Sequence, residues 1–415
     1  MDMDWGSAVM GLGLGATARG AAQAKTRAKG TPKARAEPSK LEVKKLIKKP
    51  VTSRPVQKPV AYPPGAHNRF SLPSCIKVGS VCSGMGTDHW ALKAIRSRNF
   101  EFEFWCECDK SAQAWLRANV DVGQEYTDLS RGFVDQAPYV DILTGGFPCQ
   151  PFSLAGRHGG VTDPRGNLWK YIIAYIDNQQ PRVVLLENVK GMAQKHEATL
   201  NTIVKKIEAI IDRASGEPCY DVYMKTLNSL KVGCVPQSRE RIYIVAVKRM
   251  GRSSVTFEWP SDVEPLELDI IYDQPRPPFA NYSNYPLDRF SPMVQAHISK
   301  ALEVIKAMAS DEGKPATDYG VIIDMGSSKL NMGIGYSPCL TATRCKCLSY
   351  MDLQTAKRLS CKEMMRLQGF TTDEIAFMDF SDVSNHTLGA MIGNGFTKTV
   401  VQRLLKSAMD AAEAP

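Results

Sequence analysis

No part of the 415-residue sequence strings together the roughly 20 apolar residues needed to cross a bilayer. The start of the chain, with Asp2 and Asp4, lacks the basic-then-apolar pattern of an export signal. The expectation is neither a membrane protein nor a secreted one, with no membrane partner. The 11 cysteines, an odd number, form no ladder of paired metal ligands. Cys106-x-Cys108 and Cys345-x-Cys347 raise a zinc module, but neither has a second pair at useful spacing. No metal is therefore expected, and the thiols are read as reduced. Aromatic residues are scarce over residues 1–70, where only Trp5, Tyr62 and Phe70 occur. A segment so poor in apolar surface cannot offset its chain entropy, so 1–70 is read as a disordered tail.

What that tail does have is charge. It carries 14 Lys/Arg against Asp2, Asp4, Glu37 and Glu42, a net +10 of the chain's +9, which leaves the remainder at −1. The basic character thus belongs to the tail, although a nearly neutral remainder can still hide a basic cleft. Positive residues running from Arg19 to Lys58 suit a polyanion, either as a grip on DNA phosphates or as a nuclear import signal. Lys40–Lys49 has the pattern of a short basic helix formed on binding. The alternative is a solvated spacer. Import would place the protein in the nucleus of a eukaryote; otherwise the expectation is cytoplasm.

From Ile76 short apolar runs alternate with helical spacing. Ile76–Val81, Phe102–Cys106, Val140–Leu143, Val183–Leu186, Tyr220–Leu227 and Ile242–Val247 read as strands. Asp88–Arg96, Lys110–Val120 and the segment from Leu200 to Ile211 read as helices. This alternation predicts an α/β domain with a mostly parallel sheet covered on both faces, over residues 74–248. Residues 249–355 are proline-rich, with one helical pattern at Pro292–Met308, and predict a smaller, irregular second domain. Helical pattern over 356–412 predicts a return to the first domain.

Four constellations carry chemistry. Val78–Gly86 places Gly84 and Gly86 after a strand and before a helix, where a ligand can approach the backbone. Glu107 follows about twenty positions later at a strand end, where an acid accepts hydrogen bonds from ribose hydroxyls. Asp141–Ser153 runs from a strand through Gly145-Gly146 to Phe147-Pro148-Cys149-Gln150. A cysteine held among turn residues at a strand end is exposed, and its thiolate is a soft nucleophile. Glu187 ends the buried run Val183–Leu186, where burial raises a carboxyl pKa toward neutrality. Arg239 and Arg241 lie at alternate positions and so face one way in an extended chain, poised for an acid, a phosphate or a base edge. The bland alternatives are a packing turn, an ordinary solvated Glu107, a capping Glu187 and a structural arginine pair.

Together these residues resemble the cytosine-C5 DNA methyltransferases. Phe147-Pro148-Cys149-Gln150, Glu187-Asn188-Val189 and Gln237-x-Arg239-x-Arg241 look like three core motifs of that family, in its order. Gly84-Met85-Gly86 resembles the first cofactor motif, with Cys82 where an aromatic is commoner. Asp128 in Tyr126–Leu129, Asp163–Leu168, Arg358–Phe370 and Gly393-Asn394-Gly395 resemble further motifs, so the likeness spans about 74–412.

The resemblance implies an S-adenosylmethionine-dependent, Rossmann-like fold and methyl transfer to carbon 5 of a flipped-out cytosine in double-stranded DNA. It implies Cys149 as nucleophile, with Glu187, Arg239 and Arg241 around the ring. Cys82, Ser83, Gly84, Met85, Gly86, Glu107, Cys108, Asp128, Leu129 and Asn394 would border the cofactor. Pro148, Gln150, Ser153, Asn188 and Gln237 would border the substrate. Gln150–Gly160 would be a closing loop, and 249–355 the target-recognition domain. Methylation of tRNA and a catalytically inactive DNA-binding relative are the competing readings. The Cys-Phe-Thr tripeptide usual in the tRNA branch is absent here. The oligomeric state is not set by the sequence, which is compatible with a monomer.

Overall fold

A computed structural model describes residues 70–130, 132–148, 167–274, 282 and 285–415. Cys149, Gln150 and Ser153 lie outside the described residues, as do the loop Gln150–Gly160 and all of the basic tail before Phe70.

Seven strands form one sheet in the order β3-β2-β1-β4-β5-β7-β6. They are β1 (Cys75–Val81), β2 (Asn99–Cys106), β3 (Gln124–Tyr126), β4 (Ile142–Gly145), β5 (Val183–Val189), β6 (Tyr220–Asn228) and β7 (Glu240–Lys248). Only β7 runs against its neighbours, antiparallel to both β5 and β6. β4 and β5 are buried almost throughout, as a sheet covered on both sides requires.

Each face has its own core. On one side the helices Trp169–Gln179 and Glu197–Glu208 bring Ile172, Ile176, Leu200, Ile203 and Ile207 onto Val184, Leu186 and Ile244. On the other, the helices Thr87–Lys93 and Lys398–Glu413 bring Leu92, Val401, Leu404 and Leu405 onto Val78, Ile142 and Val245. Fully burying a Val or Leu contributes about 1.5–3 kcal/mol, so the C-terminal helix is integral to the sheet. Phe70, assigned to the tail on composition, is part of this body. It is buried, with the Arg252 guanidinium 4.3 Å from its ring centroid and its carbonyl accepting from Arg182.

The predicted irregular region contains regular structure. Short strands β8 (Val321–Asp324), β9 (Met332–Ile334), β10 (Tyr350–Asp352) and β11 (Lys357–Arg358) form an antiparallel sheet in the order β11-β10-β8-β9. β8 and β10 are buried along their whole length, so they show no alternation for a sequence to reveal. The helix Pro292–Glu312 lays Val294, Ile298, Ala301 and Ile305 on this sheet's Val321, Ile323 and Met351. It starts with proline in its first turn and stops at Gly313, φ 65°.

Candidate active site

The carboxyl ends of the parallel strands carry two clusters, where open α/β sheets bind ligands. The first surrounds the turn after β1. Cys82, Gly84 and Gly86 have φ of 53°, 54° and 71°, a left-handed path that glycine takes without strain. A Cβ on Gly86 would lie 2.8 Å from Val120, so that glycine permits tight packing. A Cβ on Gly84 would meet nothing within 4 Å, so open space lies over the turn.

Glu107 faces this turn from the end of β2. Its Oε2 accepts the Gly84 N–H at 2.8 Å, and its Oε1 accepts those of Cys108 and Asp109 at 2.8 and 2.9 Å. Three backbone donors fix the carboxylate, all from residues near it in sequence or across one parallel strand pair. Asp109 then caps the helix Lys110–Asn119 through the N–H groups of Ser111 and Ala112. Half-buried Asp128 accepts from the N–H and hydroxyl of Ser130, and Leu129 beside it is buried. Ser83 is buried with its hydroxyl on the Cys106 carbonyl.

Other expected cofactor residues are placed less directly. Met85 sends its side chain into the core with Trp115 and Met364; only its carbonyl is engaged, accepting from Trp115 Nε1. Half-buried Cys82 has a thiol held uncharged by burial first and by Glu107 second. Exposed Cys108 is raised for the same reasons. Exposed Asn394 ends the helix Asn385–Asn394. The turn that follows it reaches the first cluster, since a Cβ on Gly395 would lie 3.3 Å from Thr87 Oγ1.

The second cluster follows from strand register. Glu187 in β5 lies opposite Tyr243 in β7, and Arg241 is two residues from Tyr243, hence on the same face. Arg241 Nε comes 3.0 Å from Glu187 Oε1 as an ion pair. Burial drives the Glu187 pKa up, against the pull of Arg241 and then Arg239, and the net direction is up. Gly146 lets the turn after β4 pass close by: a Cβ there would lie 2.8 Å from the Phe396 ring and 3.8 Å from Glu187 Oε2. Asn188 is buried and donates to the Phe147 carbonyl at 3.2 Å, tying β5 to the half-buried Pro148 turn that leads into Cys149.

Arg239 and Gln237 differ from their expected roles. The Arg239 guanidinium is buried and donates to the carbonyls of Leu340 at 2.6 Å and Gly395 at 2.7 Å, and to that of Gly393 at 3.4 Å. Gln237 is fully buried. Its amide donates to the Leu367 carbonyl and to Gln368, and accepts the Leu340 N–H. Both therefore position backbone rather than face a ligand. Sequence reasoning placed Gln368 in a motif but missed its tie to Gln237 and to Thr397, and missed Leu340, Phe396 and Cys339. Residues separated by a hundred positions give no local signal of contact. Gly393-Asn394-Gly395 did mark the neighbourhood of Phe396.

The sheet order and the two clusters define an S-adenosylmethionine-dependent methyltransferase fold. The chain belongs to the C-5 cytosine-specific DNA methylase family, whose sequence model matches residues 76–410. It is 28% identical to the type II methyltransferase M.HpaII of Haemophilus parainfluenzae over 74% of this chain and 82% of that protein. It is likewise 28% identical to M.HaeII of Haemophilus aegyptius, over 81% of this chain and 93% of that protein. M.HgiCII of Herpetosiphon aurantiacus is 35% identical, but over only 33% of this chain and 30% of its own length. The fold alone is shared with the methyltransferase EhMeth of Entamoeba histolytica, at 13% identity and TM-score 0.53, over 81% of this chain and 99% of that one. The family's reaction is methylation of cytosine at carbon 5 in DNA.

Proposed function

We propose that this chain methylates cytosine in double-stranded DNA, with S-adenosylmethionine bound over the Gly84–Gly86 turn and the target base flipped into the Glu187 cluster. The observation that carries the reading is the ion pair of buried Glu187 with half-buried Arg241, 3.0 Å apart, on the strand whose Asn188 is tied to Phe147, two positions before Cys149 in the sequence. The open space above Gly84 and the backbone-braced carboxylate of Glu107 fit the cofactor, with Glu107 on its ribose and Asp128 on its adenine. When bound, the cofactor supplies an electrophilic methyl group.

Carbon 5 of cytosine is a weak nucleophile. The Cys149 thiolate adds to C6, making an S–C6 bond and shifting electron density onto C5. C5 would then take the methyl group, the donor sulfur keeping the broken S–CH3 pair as a neutral thioether; a base would take the C5 proton, the C5–C6 double bond would re-form and the S–C6 pair would return to the Cys149 thiolate. Glu187, whose burial favours the protonated carboxyl, holds N3 and the exocyclic amine as charge moves onto the ring. Arg241 faces O2 and holds Glu187 in place, and Arg239 positions the surrounding backbone. A base inside a duplex cannot reach such a pocket, so it must leave the stack, as the known behaviour of methyltransferases requires. Residues 249–355 are proposed to read the target.

Duplex DNA carrying 5-fluorocytosine, given with the methyl donor, should become covalently trapped through position 149, because fluorine cannot leave as a proton does. An active enzyme that never traps would overturn the mechanism. Parallel assays on tRNA test the rival substrate, and activity there alone would overturn the choice of DNA.

A further inference from the structure

Cys339 lies between the two arginines, outside every motif recognised in the sequence. Its Sγ is 3.8 Å from Nη1 of Arg239 and 3.8 Å from Nη1 of Arg241. Its S–H donates to the Leu340 carbonyl at 3.5 Å, which leaves the sulfur lone pairs to the guanidiniums. Its backbone is fixed from two sides. The Tyr350 hydroxyl donates to the Cys339 carbonyl at 2.7 Å and accepts the Thr341 N–H at 3.1 Å. Ser337 exchanges backbone bonds with the opposing segment, accepting from Ser238 at 3.0 Å and donating to Pro236 at 2.8 Å. The sulfur therefore stands at a set height against the guanidinium that pairs with Glu187.

We propose that Cys339 is a positioning residue for the methyl-transfer site, which holds the Arg241 guanidinium against Glu187 by giving Nη1 a soft acceptor. The inference rests on the proposed role of Arg241. Arg239 donates to three carbonyls, and the contacts of Arg241 Nη1 include the Glu240 carbonyl at 2.8 Å and this sulfur. Without the sulfur, Arg241 keeps its charge but loses one of the contacts that set its angle, and a misplaced charge acts mainly on the transition state.

The test is a double-variant cycle on the full chain, read as kcat and KM for methyl transfer to duplex DNA. Cys339→Ala should lower kcat about tenfold, with the KM for the methyl donor unchanged. Cys339→Ser, whose hydroxyl still accepts, should recover part of that loss. In an Arg241→Lys background, Cys339→Ala should cause no further loss. An unchanged kcat in Cys339→Ala, or losses that multiply in the double variant, would overturn the proposal. Should Cys339→Ala not fold, the cycle is run with Cys339→Ser, whose smaller loss must also vanish in the Arg241→Lys background. A wild-type chain without activity on DNA would instead overturn the proposed function, and this inference with it.

Discussion

The two ends of the site are built by different means. At the proposed cofactor end, Glu107 is held by N–H groups of Gly84, Cys108 and Asp109, in the turns that follow β1 and β2. At the proposed substrate end, the guanidinium of Arg239 gathers carbonyls 101 to 156 residues away in sequence, at Leu340, Gly393 and Gly395. The first arrangement is completed by two neighbouring strands. The second exists only after the far segments have docked. Backbone donors do not depend on the side chains that carry them, so this carboxylate's bonds survive side-chain changes at Cys108 and Asp109. The substrate end depends on individual long side chains and is correspondingly exposed to single mutations.

That contrast can be broken most forcefully at Arg239. Arg239→Met should leave three buried carbonyls without their donor and cost about 3–5 kcal/mol of stability, seen as a lower urea midpoint. A variant as stable as the parent would mean that the distant segments dock without it. Glu187→Gln removes the charge and the ionisable proton but keeps the shape. Its kcat should fall on the order of 10²–10³-fold while the protein remains folded, measured by single-turnover methyl transfer. In the same assay, Arg241→Gln should shift the pH dependence assigned to Glu187 to higher pH. Arg241 opposes the upward push of burial, so its loss lets the carboxyl hold its proton further.

At the cofactor end the expected effects are smaller. Glu107→Ala should weaken S-adenosylmethionine binding by about 1–3 kcal/mol in calorimetry, since it removes the carboxylate that braces the Gly84 N–H at the turn with open space above it. Equal affinity would remove Glu107 from the site. The weakest test concerns His89, in the helix that follows the glycine turn. Its ring is buried 3.9 Å from that of Phe102, and burial lowers its pKa to about 3. A depressed histidine pKa contributes no penalty above its unfolded value near 6.5, and costs stability as pH falls from there toward 3. His89→Leu should flatten that acid decline, by up to about 1.4 kcal/mol per pH unit, in melting curves taken between pH 6 and 4. An unchanged slope would show that His89 is protonated with little resistance.

The same division governs what could be read from the sequence. Glu107, the Gly84–Gly86 turn and the helix from Pro292 are local patterns, and each was legible; Glu187, expected to end its strand, lies within β5, which runs on to Val189. The arginine alternation was legible too, because residues two apart in a strand share a face. The destinations of those arginines were not legible. Arg239 and Gln237 looked like ligand-facing polar residues, yet both are buried in bonds to the Leu340 and Gly393 segments. Met85 sits inside a cofactor-like motif but is buried in the core with Trp115 and Met364. The short strand Gln124–Tyr126 and the fully buried β8 and β10 lacked the length or alternation that a pattern needs. Cys149 itself was inferred from its motif, and its placement lies outside the described residues.

The register of β7 against β5 decides which way Arg241 faces. Pairing alternates with a period of two, so sliding this strand by a single residue would turn Arg241 to the opposite side of the sheet, away from Glu187. The connection from β6 to β7, residues 229–239, thus serves as a ruler whose length sets the polarity of the pocket. Adding one residue to it would leave the sheet able to form while stranding the carboxylate beside an apolar neighbour.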